Sequence, residues 1–333
     1  LTSCFKKTIV SRNRPIESPK VNGSVADYCE AIVFKHFSLL VNADNVLFRQ
    51  AEQARRLPNI FLATAMHLVF IAVGLGATLA VLFVYFGNWG SAQKALQGRS
   101  GFMAAFAGMV VALWIWVRLF EKRPLQSVGL IRKKVLTKYL LGFGFGALML
   151  VIVVGFMYLT GHVTIVSRGT NPVGGATAVG TVLLMLLAWM IQGGSEEIIT
   201  RGWYQGVIGA RYRPWAGVAV SSLLFAVLHL TANPVALLNL LLFGLFLALY
   251  CLREGSIWGV CGWHTAWNWT QVKLFGLSVS GHDVPGGALL DLSTKGNRYL
   301  SGGDFGPEGS LYSTLVFVIG IAIVITTAKA TGE

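Results

Sequence analysis

Apolar residues in this chain run in long unbroken stretches separated by short polar segments. That is neither the period-2 alternation of a half-buried strand nor the one-sided 3.6-residue stripe of a soluble helix. A bilayer core takes about 20 apolar residues per helix. Eight stretches meet or approach that length, at 60–86, 101–120, 139–160, 177–209, 214–230, 235–252, 256–277 and 311–328. Barrel strands alternate over about ten residues and do not fit runs this continuous. The pattern predicts an all-α polytopic membrane protein with a transmembrane helix in each stretch. The fourth stretch would be about 50 Å long if wholly helical, well beyond a bilayer core. It is expected to tilt, protrude or break, with Gly193-Gly194 the weak point.

Composition agrees: 54% of residues are hydrophobic and 12% charged, with a mean hydropathy of +0.64. That is about half the charge a soluble domain carries. A net charge of +13 invites a nucleic-acid reading, but its distribution argues against one. Lys and Arg concentrate before the first span, between Arg118 and Lys138, and at Arg201, Arg211, Arg213, Arg253 and Lys329. Lys94, Arg99, Arg168, Lys273, Lys295 and Arg298 fall on the other side. By the positive-inside rule both termini are cytoplasmic, and the basic clusters are topology determinants and anionic-lipid contacts. The expected setting is integral to a membrane, the bacterial plasma membrane, with no nucleic-acid partner.

Four units follow. Residues 1–59 form a basic arm, in which 24–56 reads as one or two amphipathic helices on the inner interface. Residues 60–176 hold the first three spans, 177–277 the next four, and 278–333 an external loop and the last span. The cysteines Cys4, Cys29, Cys251 and Cys261 show no paired spacing and read as packing residues. Gly142-x-Gly144-x-Gly146 and Gly202-xxx-Gly206 read as points of close helix approach.

The chemistry gathers in spans four to seven, which contain Glu196, Glu197, Arg201, His229, Asn239, His264 and Asn268. A charged group at membrane depth costs about 2.5–3.5 kcal/mol even on the mild insertion scale, so these need partners or a watered cavity. Glu197 and Arg201 are four apart and share a helix face, which predicts an ion pair. Glu196 stands about 100° round the helix and is left to point elsewhere. Phe225 and His229 share a face, as do Asn239 and Phe243, and His264 and Asn268. Measured from the turn at 210–213, Glu196 and His229 lie at similar depths, ~20 and ~22 Å at the helical rise. A carboxylate with two imidazoles and a carboxamide suits general-base activation of water and stabilisation of an oxyanion. Glu196, His229 and His264 can equally be written as three Zn²⁺ ligands, though no short zinc motif is present. A polar network that only locks helix packing is the third reading. His67, alone in the first span, reads as a packing residue.

These residues stand in a recognisable order. Glu196-Glu197-Ile198-Ile199-Thr200-Arg201 resembles the EExxxR motif of the CPBP intramembrane proteases, which include the CAAX prenyl endopeptidases. Phe225-Ala226-Val227-Leu228-His229 resembles their FxxxH, and the run from Asn239 to Phe243 their looser third motif. Gly255-Ser256 followed by His264-Thr265-Ala266-Trp267-Asn268 resembles their GS turn and HxxxN. The resemblance covers about 177–277. It implies an endopeptidase acting on a membrane-associated peptide or protein, with Glu196 as the base and His229 helping to hold the water. It further implies that His264 and Asn268 stabilise the oxyanion, with Glu197 and Arg201 supporting them. The glutamate-water mechanism needs no cofactor and is favoured over the zinc alternative. Two other readings are a non-catalytic membrane protein, conferring bacteriocin self-immunity or scaffolding a partner, and a transporter. The latter is disfavoured by the lack of an internal repeat.

Overall fold

The computed structural model describes residues 34–97, 99–166, 179–282 and 287–328. Most of the basic arm, with Cys4 and Cys29, and Arg168 lie outside them. The helices are α1 Val46–Ala51, α2 Ile60–Phe86, α3 Trp89–Gln97, α4 Arg99–Trp116, α5 Val135–Leu159 and α6 Val179–Glu197. They continue as α7 Gln205–Arg211, α8 Pro214–Leu228, α9 Pro234–Glu254, α10 Trp258–Trp269, α11 Arg298–Ser301 and α12 Leu311–Thr326. One two-stranded antiparallel sheet joins β1 Val163–Ile165 to β2 Leu292–Thr294. Helix ends follow local chemistry. Asn59 caps α2 by accepting from the Leu62 N–H, and Asn233 with Pro234 at the first position opens α9. Gly87 and Gly255 close α2 and α9 in the left-handed conformation.

The described residues are mostly helical, and among them five helical stretches are long and apolar enough to cross a membrane: Ile60–Phe86, Gly101–Glu121, Val135–Leu159, Val179–Arg211 and Pro234–Glu254. The remaining three predicted stretches are shorter than expected. Helices α8 and α12 have 15 and 16 residues. The 256–277 stretch is α-helical only over α10, before a π-helical turn at Thr270–Leu274. The fourth stretch does not break at Gly193-Gly194. It runs continuously from Val179 to Arg211 and loosens into a π-helical segment at Ile198–Tyr204. Gly193 serves a different purpose, because a Cβ there would press on the backbone of His264 and Thr265 in α10.

Helix α10 is the centre of the molecule. Every residue from Gly259 to Asn268 is buried, and α5, α6 and α9 pack around it. A helix buried on all sides can carry polar residues only if its neighbours satisfy them. Close approach is built from glycine: a Cβ at Gly142 would strike the Gly259 carbonyl, one at Gly146 the Trp263 carbonyl, and one at Gly262 the Tyr139 carbonyl. Gly144 faces open space, so the helix-approach reading holds for two of the three glycines in that run.

Polar connections tie the helix ends into two levels. At one level the Arg55 N–H donates to the Glu121 carbonyl at 2.9 Å and the Ile60 N–H to the Tyr212 hydroxyl at 3.1 Å. There too Lys138 Nζ donates to Ser256 Oγ at 2.8 Å and Arg253 Nε to the Thr327 carbonyl at 3.4 Å. This is the level that gathers the basic residues. At the other, the Lys295 N–H donates to the His162 carbonyl at 2.9 Å and β1 pairs with β2, tying the last loop to the end of α5.

Helices expected of 24–56 form in the described part of the arm, with one apolar face on the protein and the other exposed. Its described part is helical at 34–40 and over α1, and Leu40, Leu47 and Phe48 are buried within the protein. The reason is local. Phe48 lies where a Cβ on Gly209 would stand, and Asn45 Nδ2 donates to the Leu252 carbonyl at 2.9 Å.

Candidate active site

Glu196 and Glu197 end α6 and point apart, as adjacent helical residues must. Glu197 and Arg201 have fully buried side chains and pair Oε1 to Nη1 at 3.0 Å, the predicted contact four residues apart. Arg201 also lies over the Phe225 ring, 4.3 Å from its centroid, where a cation meets the negative face of the π system. The same Glu197 oxygen is 2.8 Å from His264 Nδ1. One carboxylate therefore joins an arginine of its own helix to a histidine of the central helix.

Glu196 differs. Its side chain keeps a quarter of its surface exposed, so it alone of the two glutamates can meet solvent and substrate. Gln192, one turn earlier, donates from Nε2 to Glu196 Oε1 at 2.8 Å, and Gln192 Oε1 accepts from Asn268 Nδ2 at 3.0 Å. The other oxygen of Glu196, Oε2, stands 3.8 Å from His264 Nε2. That gap is too long for a hydrogen bond and close enough for one water to touch both groups. Sequence reasoning did not single out Gln192. The signal that marks it is a polar residue four positions before Glu196 on the same face, though a lone amide in an apolar helix reads as packing.

The proton positions follow from these bonds. His264 faces a carboxylate at Nδ1, so that nitrogen carries a proton and Nε2 presents a lone pair in the neutral ring. Nε2 donates only when the ring holds both protons. His229 caps the end of α8, and its Nδ1 lies 2.7 Å from the Phe225 carbonyl. A carbonyl only accepts, so His229 Nδ1 is protonated and Nε2 is left free. The His229 ring is half-buried and packs 4.6 Å from Phe225 between centroids, while Phe225 stacks on Phe243 at 5.1 Å. His264 stands edge-on to both phenylalanines, at 6.2 and 5.0 Å. Glu196, His264 and Asn268 are thus joined through direct polar neighbours, and His229 reaches them across an aromatic pair.

Asn239 has a different set of contacts. Its Nδ2 donates to the Glu308 and Ser310 carbonyls at 2.7 and 2.8 Å, and its Oδ1 accepts from Thr314 Oγ1 at 2.6 Å. It pins the last loop and the start of α12 to α9. Glu308 fixes that loop again, accepting from Trp267 Nε1 at 3.0 Å and from the Ser280 N–H at 2.8 Å. His67 is buried in α2 against the Tyr204 ring, 5.4 Å away.

For zinc, the donor set does not assemble. Among the described residues no three His, Cys, Asp or Glu side chains converge as a ligand group. The Nδ1 bonds of His229 and His264 leave each Nε2 free and Glu196 Oε2 is open, so the three fall short of a ligand set in separation and not in donor chemistry.

Residues 178–270 match the family model of the type II CAAX prenyl endopeptidases, Rce1-like. This segment is similar to the Rce1-like domain. Its bounds enclose α6 to α10 and every residue of the site just described, in keeping with a CPBP-family intramembrane protease. Comparison with curated proteins and with solved structures gives no match.

Proposed function

We propose that this chain is an intramembrane endopeptidase in which Glu196 activates the attacking water. The observation that carries the reading is the contrast between neighbours: Glu197 is sealed in an ion pair, whereas Glu196 is accessible with one oxygen held by Gln192 and the other open beside His264. Glu196 Oε2 takes a proton from water as the water oxygen bonds to the scissile carbonyl carbon. By likeness to the FxxxH motif, His229 Nε2, left free by the bond to the Phe225 carbonyl, helps to hold the water. The carbonyl oxygen gains the negative charge, facing the second N–H of Asn268 and, when its ring carries both protons, His264 Nε2. Collapse re-forms the carbonyl and breaks the C–N bond, and the proton on Glu196 passes to the leaving amine. Atoms balance as peptide plus water giving acid and amine.

The substrate is a membrane-associated peptide or protein, of the CAAX prenyl class by likeness to the matched family. The basic level of the helix ends supports a cytoplasmic assignment for both termini, with eight crossings between the two levels. Profiling of protein termini in membranes from cells carrying the wild type or Glu196→Gln tests the reading. New termini at specific membrane proteins are expected only with the wild type, and identical profiles at equal protein levels reject it.

A further inference from the structure

At the basic level, α4, the connection that follows it and the start of α10 enclose a cleft of about 480 Å³. Trp114, Arg118, Gln126, Leu130, Arg132 and Trp258 line it. Trp114 and Arg118 are four residues apart on one face at the end of the Gly101–Glu121 span. Trp114 is 47% exposed and Leu119 beside it 71%, so the cleft opens onto the surface that faces acyl chains. Its floor is fixed: Trp258 Nε1 donates to the Ile131 carbonyl at 2.8 Å. The Gln126 amide oxygen, turned to Arg132, accepts from Nε and Nη2 at 3.3 and 3.1 Å.

The charge in the cleft is uncompensated. Glu121 is fully buried and taken by Arg123 Nε at 2.6 Å and by the indoles of Trp116 and Trp203 at 2.9 and 2.6 Å. Glu254 is held by Lys138, Ser256 and the Gly259 N–H. No carboxylate pairs with Arg118 or Arg132 among the described residues. Two guanidiniums, two interfacial tryptophans and a lipid-facing mouth at the end of a membrane helix match an amphiphile with one phosphate. Guanidinium meets phosphate in paired hydrogen bonds, and tryptophan sits at headgroup level.

We propose that this cleft seats the phosphate of an anionic phospholipid, with the acyl chains running down the outer face of α4 past Trp114. Two guanidiniums near an anionic headgroup contribute about fivefold each to affinity, about 25-fold together. The test is native mass spectrometry of the full chain released from detergent, titrated with phosphatidylglycerol, with phosphatidylcholine, and with inorganic phosphate as competitor. The wild type is expected to retain one phosphatidylglycerol about 25-fold better than the Arg118→Gln/Arg132→Gln variant, to bind phosphatidylcholine weakly, and to resist displacement by phosphate. Lys94→Gln, an exposed change at the opposite level, is expected to leave retention unchanged, and a melting curve confirms that each variant is folded. Equal retention of the two lipids by the wild type, or unchanged phosphatidylglycerol binding by a folded double variant, overturns the proposal. Displacement by inorganic phosphate overturns it in favour of a free-phosphate site.

Discussion

Glu197→Ala removes an acceptor shared by two donors, Arg201 Nη1 at 3.0 Å and His264 Nδ1 at 2.8 Å. Both members of the ion pair have no exposed side-chain surface, so water cannot replace the lost partner. A hydrogen bond to a charged group contributes about 1.5–3 kcal/mol, and two of them agree with the about 3–5 kcal/mol cost of orphaning a buried charge. For a chain this long that corresponds to a melting shift of about 5–10 °C. The assay is fluorescence-detected size exclusion after stepwise heating, in one detergent, with proteolysis measured on the surviving folded fraction. The double variant Glu197→Met/Arg201→Met adds a sharper condition. It removes both charges and fills similar volume, so it should melt closer to the wild type than Glu197→Ala does. A Glu197→Ala protein with unchanged melting and activity refutes the reasoning. So does a double variant whose loss equals the sum of the two single losses.

Three further outcomes are expected. Gln192→Ala should lower kcat by about tenfold or more, since it frees both Glu196 and Asn268, while folding stability falls by no more than about 1–3 kcal/mol. Gln192→Glu, which keeps the size but cannot donate as a carboxylate, should not restore activity. Gly142→Ala should cost about 1–3 kcal/mol by forcing α5 from α10, whereas Gly144→Ala, facing open space, should be neutral or slightly stabilising; equal melting shifts would show that α5 is not seated on α10 through that glycine. Purified active protein should hold well under one zinc per chain and survive a membrane-permeant chelator. Inhibition by 1,10-phenanthroline reversed by Zn²⁺, with about one metal per chain, would make Glu196, His229 and His264 ligands.

The features legible in the sequence were those set within single helices. The Glu197–Arg201 pair follows from a spacing of four, and the division between Glu196 and Glu197 from the helical turn angle. Contacts between helices were not legible. His264 to Glu197 and Gln192 to Asn268 depend on how close α6 lies to α10, which Gly193 permits but does not announce. The same ambiguity hides which of tilt, protrusion or break the fourth stretch adopts. Adjacent glycines weaken a helix in isolation, yet here Gly193 admits a neighbour and the helix persists. The irregularity falls instead at Ile198–Tyr204, immediately after the glutamate pair, and a second π turn follows Asn268 at Thr270–Leu274. Such turns recur at functional sites and leave no reliable mark in sequence. Nor does the sequence say which apolar residues of the arm meet protein: Leu47 and Phe48 pack on a glycine-bearing helix, whereas Phe34 and Val46 are exposed.

Whether the Glu196 carboxylate is the base of a hydrolytic site is decided by one comparison. Wild type and Glu196→Gln, reconstituted in the same nanodiscs and matched for melting, are given a prenylated CAAX peptide in water enriched in ¹⁸O. Products are read by mass spectrometry. The account predicts cleavage by the wild type with one ¹⁸O in the new carboxylate, and a loss of about 10²–10⁴ in rate for Glu196→Gln with no change in folded fraction. A folded Glu196→Gln protein that cleaves the peptide at the wild-type rate would contradict it.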